Sequence, residues 1–489
     1  MVRLGFGLLS AALFGVALSA PWQNTTIQQN QDRIIPDSWI ITFKKGVPQS
    51  ELHAFKKVFR KRAETGNMEI HHEYDLGPGM FKGYLLNGPA ETVMPLNDSQ
   101  WVSQIEPNMA YYRPWKSNVD DDEDDVEDDD EPALMPSSVG NEAPTLRRRT
   151  NIRPLRKKDN LWNLEHISGG HKLQYYCPDG CGEGTFIYFI DDGIDHDHPE
   201  FAGRIITEKH FHPGVSTQPD RKYDGIQGTF VAGIAAGATR GVAPNAKIIM
   251  LNVFGRDNIV RLDFFLMAME WAVNDIKSRN RIGKAIINLS HWGGPAAEGE
   301  AAMRAVADAV RAGIFVTAAA GDYMPDAGSN WPESEDLACV VAATNWNPGY
   351  WGHSARGPAV DIAAPGAEIR SASVKGHRAH HGDYMRGTGT YAAAPHVAGV
   401  AATLVSAAKG TFKDLTNMCD LLRCWAIDPG DDWPADTPRR RLLNMRTADL
   451  DDGTPEAEML KRPECQKLMA MNSTMVGPGM HLAGSFRRF

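Results

Sequence analysis

From Asn160 to about Met445, short apolar runs alternate with amphipathic stretches. The order is FIYFID, a helical stretch after Gly228, KIIMLNVF, a helical run over Leu262–Ser278, AIINLS, a further helical run from Glu298 to Ala312, then IFVTAAAG, CVVAAT and VDIAAPG. Strands that are apolar without alternation must be buried on both faces, which a parallel sheet flanked by crossover helices provides. The expected fold class is therefore α/β, a doubly wound, mostly parallel sheet over residues 160–446. In such a sheet ligand clefts open at the carboxyl ends of the strands.

A smaller unit precedes it. SWIITF (Ser38–Phe43) reads as a strand and Gln49 to Arg62 has helical spacing. GYLLNG near Gly83 is strand-like, a short helical run lies near Val93 to Leu96, and WVSQIEPNMAYY closes the unit. This order predicts a small α+β domain over 36–113. The first twenty residues, MVRLGFGLLSAALFGVALSA, fit a secretory signal peptide cleaved near Ala20. No later stretch is long and apolar enough to span a bilayer, so no membrane partner is expected. Export implies an oxidising compartment, where six cysteines suit a few structural disulfides. Sequons at Asn24, Asn97, Asn288 and Asn472 agree, with Asn288 expected to stay bare in a buried strand.

The formal charge of −10 comes from one block, because Asp120 to Glu131 holds eleven acidic residues and one valine, and without them the chain carries +1. The block and the basic stretch Arg147 to Lys158 define a linker over 114–159, read as solvated, with dibasic processing or docking to a charged partner as the other readings. No nucleic-acid partner is expected of an exported chain without an aromatic-rich basic surface. Residues 447–489 form a tail without an assignable role.

Three segments carry chemistry: IYFIDDGIDHDHPEF around Asp191, DGIQGTFVAG around Gln227 and GTYAAAPHVAG around Tyr391. They resemble the Asp, His and Ser segments of the subtilisin-like serine proteases, peptidase family S8, whose forms run roughly DTGI, HGTHVAG and GTSMAxPHVAG. The likeness is to the proteinase K and cerevisin branch and covers 160–446, with APG at Ala364 to Gly366 and ADTPRRRLLNM at Ala435 to Met445 as late landmarks. It implies a subtilisin-like sheet. For 36–113 it implies a ferredoxin-like propeptide of the inhibitor I9 type that chaperones folding and occupies the cleft, PDSWIITFKKGV matching its first strand.

The resemblance places Asp191 at the orienting acid, Gln227 at the base, Tyr391 at the nucleophile and Asp322 at the oxyanion donor. Family chemistry needs a hydroxyl, a base for its proton and a carboxylate to orient the base. A primary amide does not shuttle protons near neutral pH, and a phenol with its pKa near 10 is a poor nucleophile. An ionised Asp322 would repel a developing oxyanion. In NLSHWGG, matching the strand edge that pairs with substrate, Ser290, Trp292 and Gly293 line the groove, and Trp292 falls where a glycine leaves room.

His196, His198, His291, His380 and His381 invite a metal reading, but sequence does not show whether such ligands converge. By resemblance Asp361 is expected to ligate a structural calcium and Cys339 to pair with Cys419. Cys424–Cys465 and Cys177–Cys181 are assigned without such support. No cofactor is required. The expectation is a secreted pseudoprotease serving as a binding or regulatory scaffold, its partner a protein or peptide, its own propeptide or a related protease. The alternatives are a working endopeptidase of altered mechanism, for instance through an activated Tyr391, and a propeptide-mediated inhibitor or chaperone of another protease.

Overall fold

The computed structural model describes residues 33–63, 68–112, 150–155, 159, 161–168, 174–178, 180–212, 225–255, 259–290, 294–331, 338–346, 349–375, 383–410, 412–427, 433–437, 441–445 and 465–466. The expected signal peptide at 1–20, the acidic block, His291, Trp292, Gly293, His380, His381 and nearly all of the tail lie outside them.

The N-terminal unit begins with β1 (Ile34–Phe43), followed by α1 (Gln49–Ala63), β2 (Glu69–Asp75), β3 (Lys82–Asn87) and β4 (Val102–Tyr112). The antiparallel strands take the order β4-β1-β3-β2, the arrangement expected of a ferredoxin-like unit. Ile41, Phe43, Tyr84 and Leu86 of the sheet pack on Leu52 and Phe59 of α1. Strand β2 escapes the sequence reading because its inward positions are Ile70, His72 and Tyr74, and a histidine in the middle breaks the apolar alternation.

The chain is next described from Thr150, where β5 (Thr150–Pro154) pairs with β6 (Gln174–Pro178). The expected linker over 114–159 is therefore too long. Arg153 is anchored, its guanidinium donating to the carbonyls of Ala238 at 3.1 Å and Gly241 at 2.9 Å and lying 4.8 Å over the Tyr175 ring. A basic residue in a charged stretch reads as solvated until its carbonyl partners come into view.

The remaining elements are β7 (Phe186–Asp191), β8 (Ile205–His210), α2 (Ile226–Ala236), β9 (Lys247–Asn252), β10 (Ile259–Arg261), α3 (Leu262–Ser278), β11 (Ala285–Leu289) and α4 (Glu300–Arg311). Then come β12 (Phe315–Ala319), β13 (Cys339–Thr344), β14 (Ile362–Pro365), β15 (Ile369–Ala372), β16 (Tyr384–Gly387), α5 (Thr390–Ala407) and α6 (Met418–Trp425). Seven of the strands form one parallel sheet in the order β14-β13-β12-β11-β7-β9-β8, the doubly wound sheet that was expected. Alternate residues of β7 serve two cores: Ile187 and Phe189 join residues of α2 and α5, while Tyr188 and Ile190 join those of α3 and α4. Asn288 in β11 is buried, bonding Ser290 and Thr317, so its sequon is inaccessible.

The sheet order turns back at β7, with β11 on one side and β9 on the other, and the crevice of such a switch point opens at the carboxyl ends of these strands. The N-terminal unit reaches the same region. Strand β10 pairs antiparallel with β4 and extends the N-terminal sheet to five strands. Further along β4, the side chains of Asn108 and Glu106 accept the backbone N–H groups of Asp263 at 3.2 Å and Ala301 at 2.8 Å, opening α3 and α4. Helix N-termini carry N–H groups without intrahelical partners, so β4 satisfies both helices at once. No helix among the described residues is long and apolar enough to cross a membrane.

Candidate active site

Asp191 is the last residue of β7, and its buried carboxylate takes the N–H of Asp192 at 2.9 Å and the Gln227 amide at 3.2 Å. Gln227 is held by the start of α2, which Asp192 caps: its two oxygens accept the N–H groups of Gln227 at 3.3 Å and Gly228 at 2.7 Å. The second hydrogen of the Gln227 amide goes to the carbonyl of Ser290, at 3.3 Å, just beyond β11. Three elements of the sheet edge are thus tied through one amide. Its donors are both engaged, and it has no proton to give or take at neutral pH.

The fourth element is α5. Tyr391, its second residue, turns its half-buried ring back over β16, where a Cβ added to Gly387 would stand 2.6 Å from the phenolic oxygen. The ring also meets Phe230 of α2 with centroids 5.9 Å apart. The missing side chains at Gly387 and Gly389 make the space that the ring fills. Phe230, at the place of the second histidine in the family's HGTHVAG segment, gives the phenol an apolar neighbour.

Asp322 follows β12 and faces the first turn of α5. Its Oδ1 accepts the backbone N–H of Thr390 at 2.8 Å and the Thr390 hydroxyl at 2.7 Å. Burial pushes this carboxyl up to about 6, against the opposing pull of the two Thr390 hydrogen bonds and of His353. Asp322 is therefore an acceptor that consumes donors at the helix start. Below, in α5, His396 is fully buried between Asn163 and the Ala392 carbonyl, each 2.8 Å from a ring nitrogen. The nitrogen facing the carbonyl must carry a proton, and burial pushes the ring's pKa down to about 4, which keeps the ring neutral at neutral pH.

Of the residues anticipated at the groove, Ser290 is buried beside Gln227, while Trp292 and Gly293 lie outside the described residues. The groove also receives β4. The Tyr111 ring sits where a Cβ on Gly294 would come within 2.0 Å of it, packs edge-on to Trp331 at 5.5 Å and donates its hydroxyl to the Glu298 carbonyl at 3.3 Å. Sequence reasoning missed the roles of Asp192, Thr390 and Tyr111. The paired acids Asp191-Asp192 were the only visible signal for the first.

Asp361 accepts the Val340 N–H and lies 3.4 Å from Nη1 of Arg423, which also meets Asp420. A guanidinium supplies the positive charge here, and the two sulfurs beside Asp361 are bonded to each other as Cys339–Cys419, so these residues do not fit a calcium cage. The other cysteines pair as Cys177–Cys181 and Cys424–Cys465.

The model of the Subtilase family, Peptidase S8, matches residues 182–426, from just before β7 to just after α6. A subtilisin-like protease of Coccidioides posadasii is 37% identical over 58% of this chain and 66% of its own length. Subtilisin-like protease 3 of Pseudogymnoascus destructans is 32% identical over 77% of this chain and 82% of its own. Among solved structures, the crystal structure of a cold adapted subtilisin-like serine proteinase superposes with a TM-score of 0.50 at 27% identity, covering 58% of this chain and 97% of that one. With a family model spanning half the chain and a relative this similar along most of its length, the chain belongs to the subtilase family.

Proposed function

We propose that this protein is a secreted subtilase that does not hydrolyse peptides and serves as a binding or regulatory scaffold, its N-terminal unit acting as a retained propeptide over its own groove. The carrying observation is the Gln227 amide, which spends one hydrogen on Asp191 and the other on the Ser290 carbonyl. A base in that position must accept a proton from the nucleophile, and an amide has no such equilibrium near neutral pH. The phenol of Tyr391 is turned toward Phe230 and Gly387, and Asp322 offers an acceptor where a donor is needed. In subtilisin, the worked case for these magnitudes, the nucleophile or the base accounts for about 10⁶ in rate and a single oxyanion donor for about 10² to 10³.

The binding role rests on the groove. Strand β10 pairs with β4, and Tyr111 fills the space beside Gly294 and Trp331, so an extended peptide is already accommodated. The three disulfides agree with passage through an oxidising compartment. Incubation of the purified protein with a fluorophosphonate probe and with casein tests the reading. It predicts neither labelling nor turnover, and turnover abolished by Tyr391→Phe would replace it with the altered-mechanism peptidase.

A further inference from the structure

Helix α1 has one face that packs on nothing among the described residues. Leu52, Phe55 and Phe59 turn inward onto the sheet of the N-terminal unit, while His53, Lys57 and Lys61, spaced four apart, form an exposed stripe with Val58 beside it. From Lys56 to Arg62 five of seven residues are basic. Lys56 meets Glu73 at 2.5 Å, but Lys57 and Lys61 meet no acidic group among the described residues. A helix dipole attracts cations only within its last turn, and Lys57 lies before that turn. Val58, in the same stretch, is 48% exposed.

The topology brings this face to where the linker begins. Strand β4 runs antiparallel to β1, with Ile34 opposite Met109, so β4 finishes where β1 begins. Strand β3 is antiparallel to both β1 and β2, which makes β2 parallel to β1. Helix α1 joins the end of β1 to the start of β2 and therefore runs back to that same end. Its basic turns and the exit of β4 at Tyr112 share one end of the unit. Residues 113–119 lead on to Asp120, and seven residues reach about 23–25 Å. The sheet itself, at about 4.8 Å per strand spacing, is only about 14 Å across.

We propose that the acidic block Asp120–Glu131 docks on the outer face of α1 along Lys57, Val58 and Lys61. Eleven carboxylates then meet the one helix half that carries five basic residues, and the block's single apolar residue, Val126, offers a partner to Val58. Single exposed ion pairs hold weakly, but the short tether presents the block at an effective concentration on the order of millimolar, so contacts too weak between separate molecules suffice within one chain. The same tether favours the chain's own block over an acidic partner or a second copy. The docking is independent of whether the protein hydrolyses peptides and requires only an uncut linker.

The test uses the full chain. A carbodiimide couples a lysine to a carboxylate in contact with it. At low salt, peptides of residues 120–131 should couple to Lys57 and Lys61 of the same chain about tenfold more than to the exposed Lys284 and Lys413, and about 1 M sodium chloride should reduce that coupling about tenfold. Lys57→Glu with Lys61→Glu changes two exposed side chains and should leave the melting temperature unaltered. In that variant a Glu-specific endoproteinase should cut the block, at Glu123, Glu127 and Glu131, about tenfold faster than in the unaltered protein. Coupling spread evenly over exposed lysines, or equal cutting of the two proteins, overturns the proposal. Coupling only between chains does so too, giving the face to a second copy. Saturable binding of added polyglutamate to the unaltered protein, lost in the variant, also overturns it by showing the face open to an acidic partner.

Discussion

The Asp322 carboxylate takes two hydrogen bonds from one residue, the backbone N–H and the hydroxyl of Thr390, through the same oxygen. Thr390 opens α5, so the acid caps the helix that carries Tyr391 at its second position. On the proposed reading, the position of the family's oxyanion donor is thus occupied by a side chain that accepts from the scaffold.

Burial holds this acid at about 6, above its value of 3.8 in a free chain, so the folded protein keeps a proton that the unfolded chain has lost across that interval. The stability contributed by Asp322 is full at low pH, falls as pH rises from about 4 to about 6, and stays lost at neutrality. Asp322→Asn removes the ionisation while keeping the acceptor for Thr390. It should stabilise the protein by roughly 1–2 kcal/mol at pH 7.5, after discounting for partial solvation, and by much less at pH 4. Denaturant midpoints at the two pH values check this, and equal shifts at both would count against it.

On the proposed reading, chemistry should return only when base and nucleophile are both restored, and at its full rate only with the oxyanion donor as well. Gln227→His restores a base within reach of Asp191, Tyr391→Ser a hydroxyl at the start of α5, and Asp322→Asn an oxyanion donor. Parts that act as a unit are strongly non-additive, so each single variant should remain unlabelled by a fluorophosphonate. The triple variant should be labelled in a time-dependent way. A double variant lacking only the oxyanion change should react about 10² to 10³ more slowly than the triple.

The sheet was legible because its strands are apolar on both faces and its helices amphipathic; α3 runs from Leu262 to Ser278 as anticipated. Helix α4 starts at Glu300, two residues late, because Ala296–Glu298 closes a separate turn. Residues at Asp191, Gln227, Asp322 and Tyr391 were located by motif, which fixes position along the chain and nothing about direction. That Tyr391 leans on Phe230, and that Asp322 is spent on Thr390, depends on which neighbours offer space or donors, and Gly387 and Thr390 carry no mark of it in the sequence. Pairing of β10 with β4 was invisible for another reason: a three-residue strand has no periodicity to read.

Gly294 is the test of how β4 is held. Its missing side chain admits the Tyr111 ring, and a Cβ would overlap ring atoms within 2.0 to 2.9 Å. Gly294→Ala should therefore expel Tyr111 from beside Trp331 and release the β4–β10 pairing, at a cost of about 2–4 kcal/mol. Hydrogen exchange would show the amides of residues 109–112 losing protection while β7, β9 and β11 keep theirs. Tyr111→Phe, which loses only the bond to the Glu298 carbonyl, should cost about 1 kcal/mol. If both variants leave exchange at β4 unchanged, the groove is not what holds the N-terminal unit.

His396 gives the protein a second pH limit, of opposite sign to that of Asp322. Its ring is wedged between Asn163 and the Ala392 carbonyl, and burial pushes its pKa down to about 4 from 6.5. The folded state therefore resists a proton that the unfolded chain accepts. Stability is full above about pH 6.5 and is lost progressively as pH falls towards 4, by about 2–3 kcal/mol from this residue alone. His396→Gln replaces the ring with an amide that can still meet Asn163 but does not titrate. The variant should be less stable than the parent at pH 7.5, because the packing is altered, yet its stability should fall less between pH 6.5 and pH 4.5. Guanidinium titrations at those pH values decide it: parallel pH profiles for parent and variant would mean that His396 is not the group that limits stability in acid.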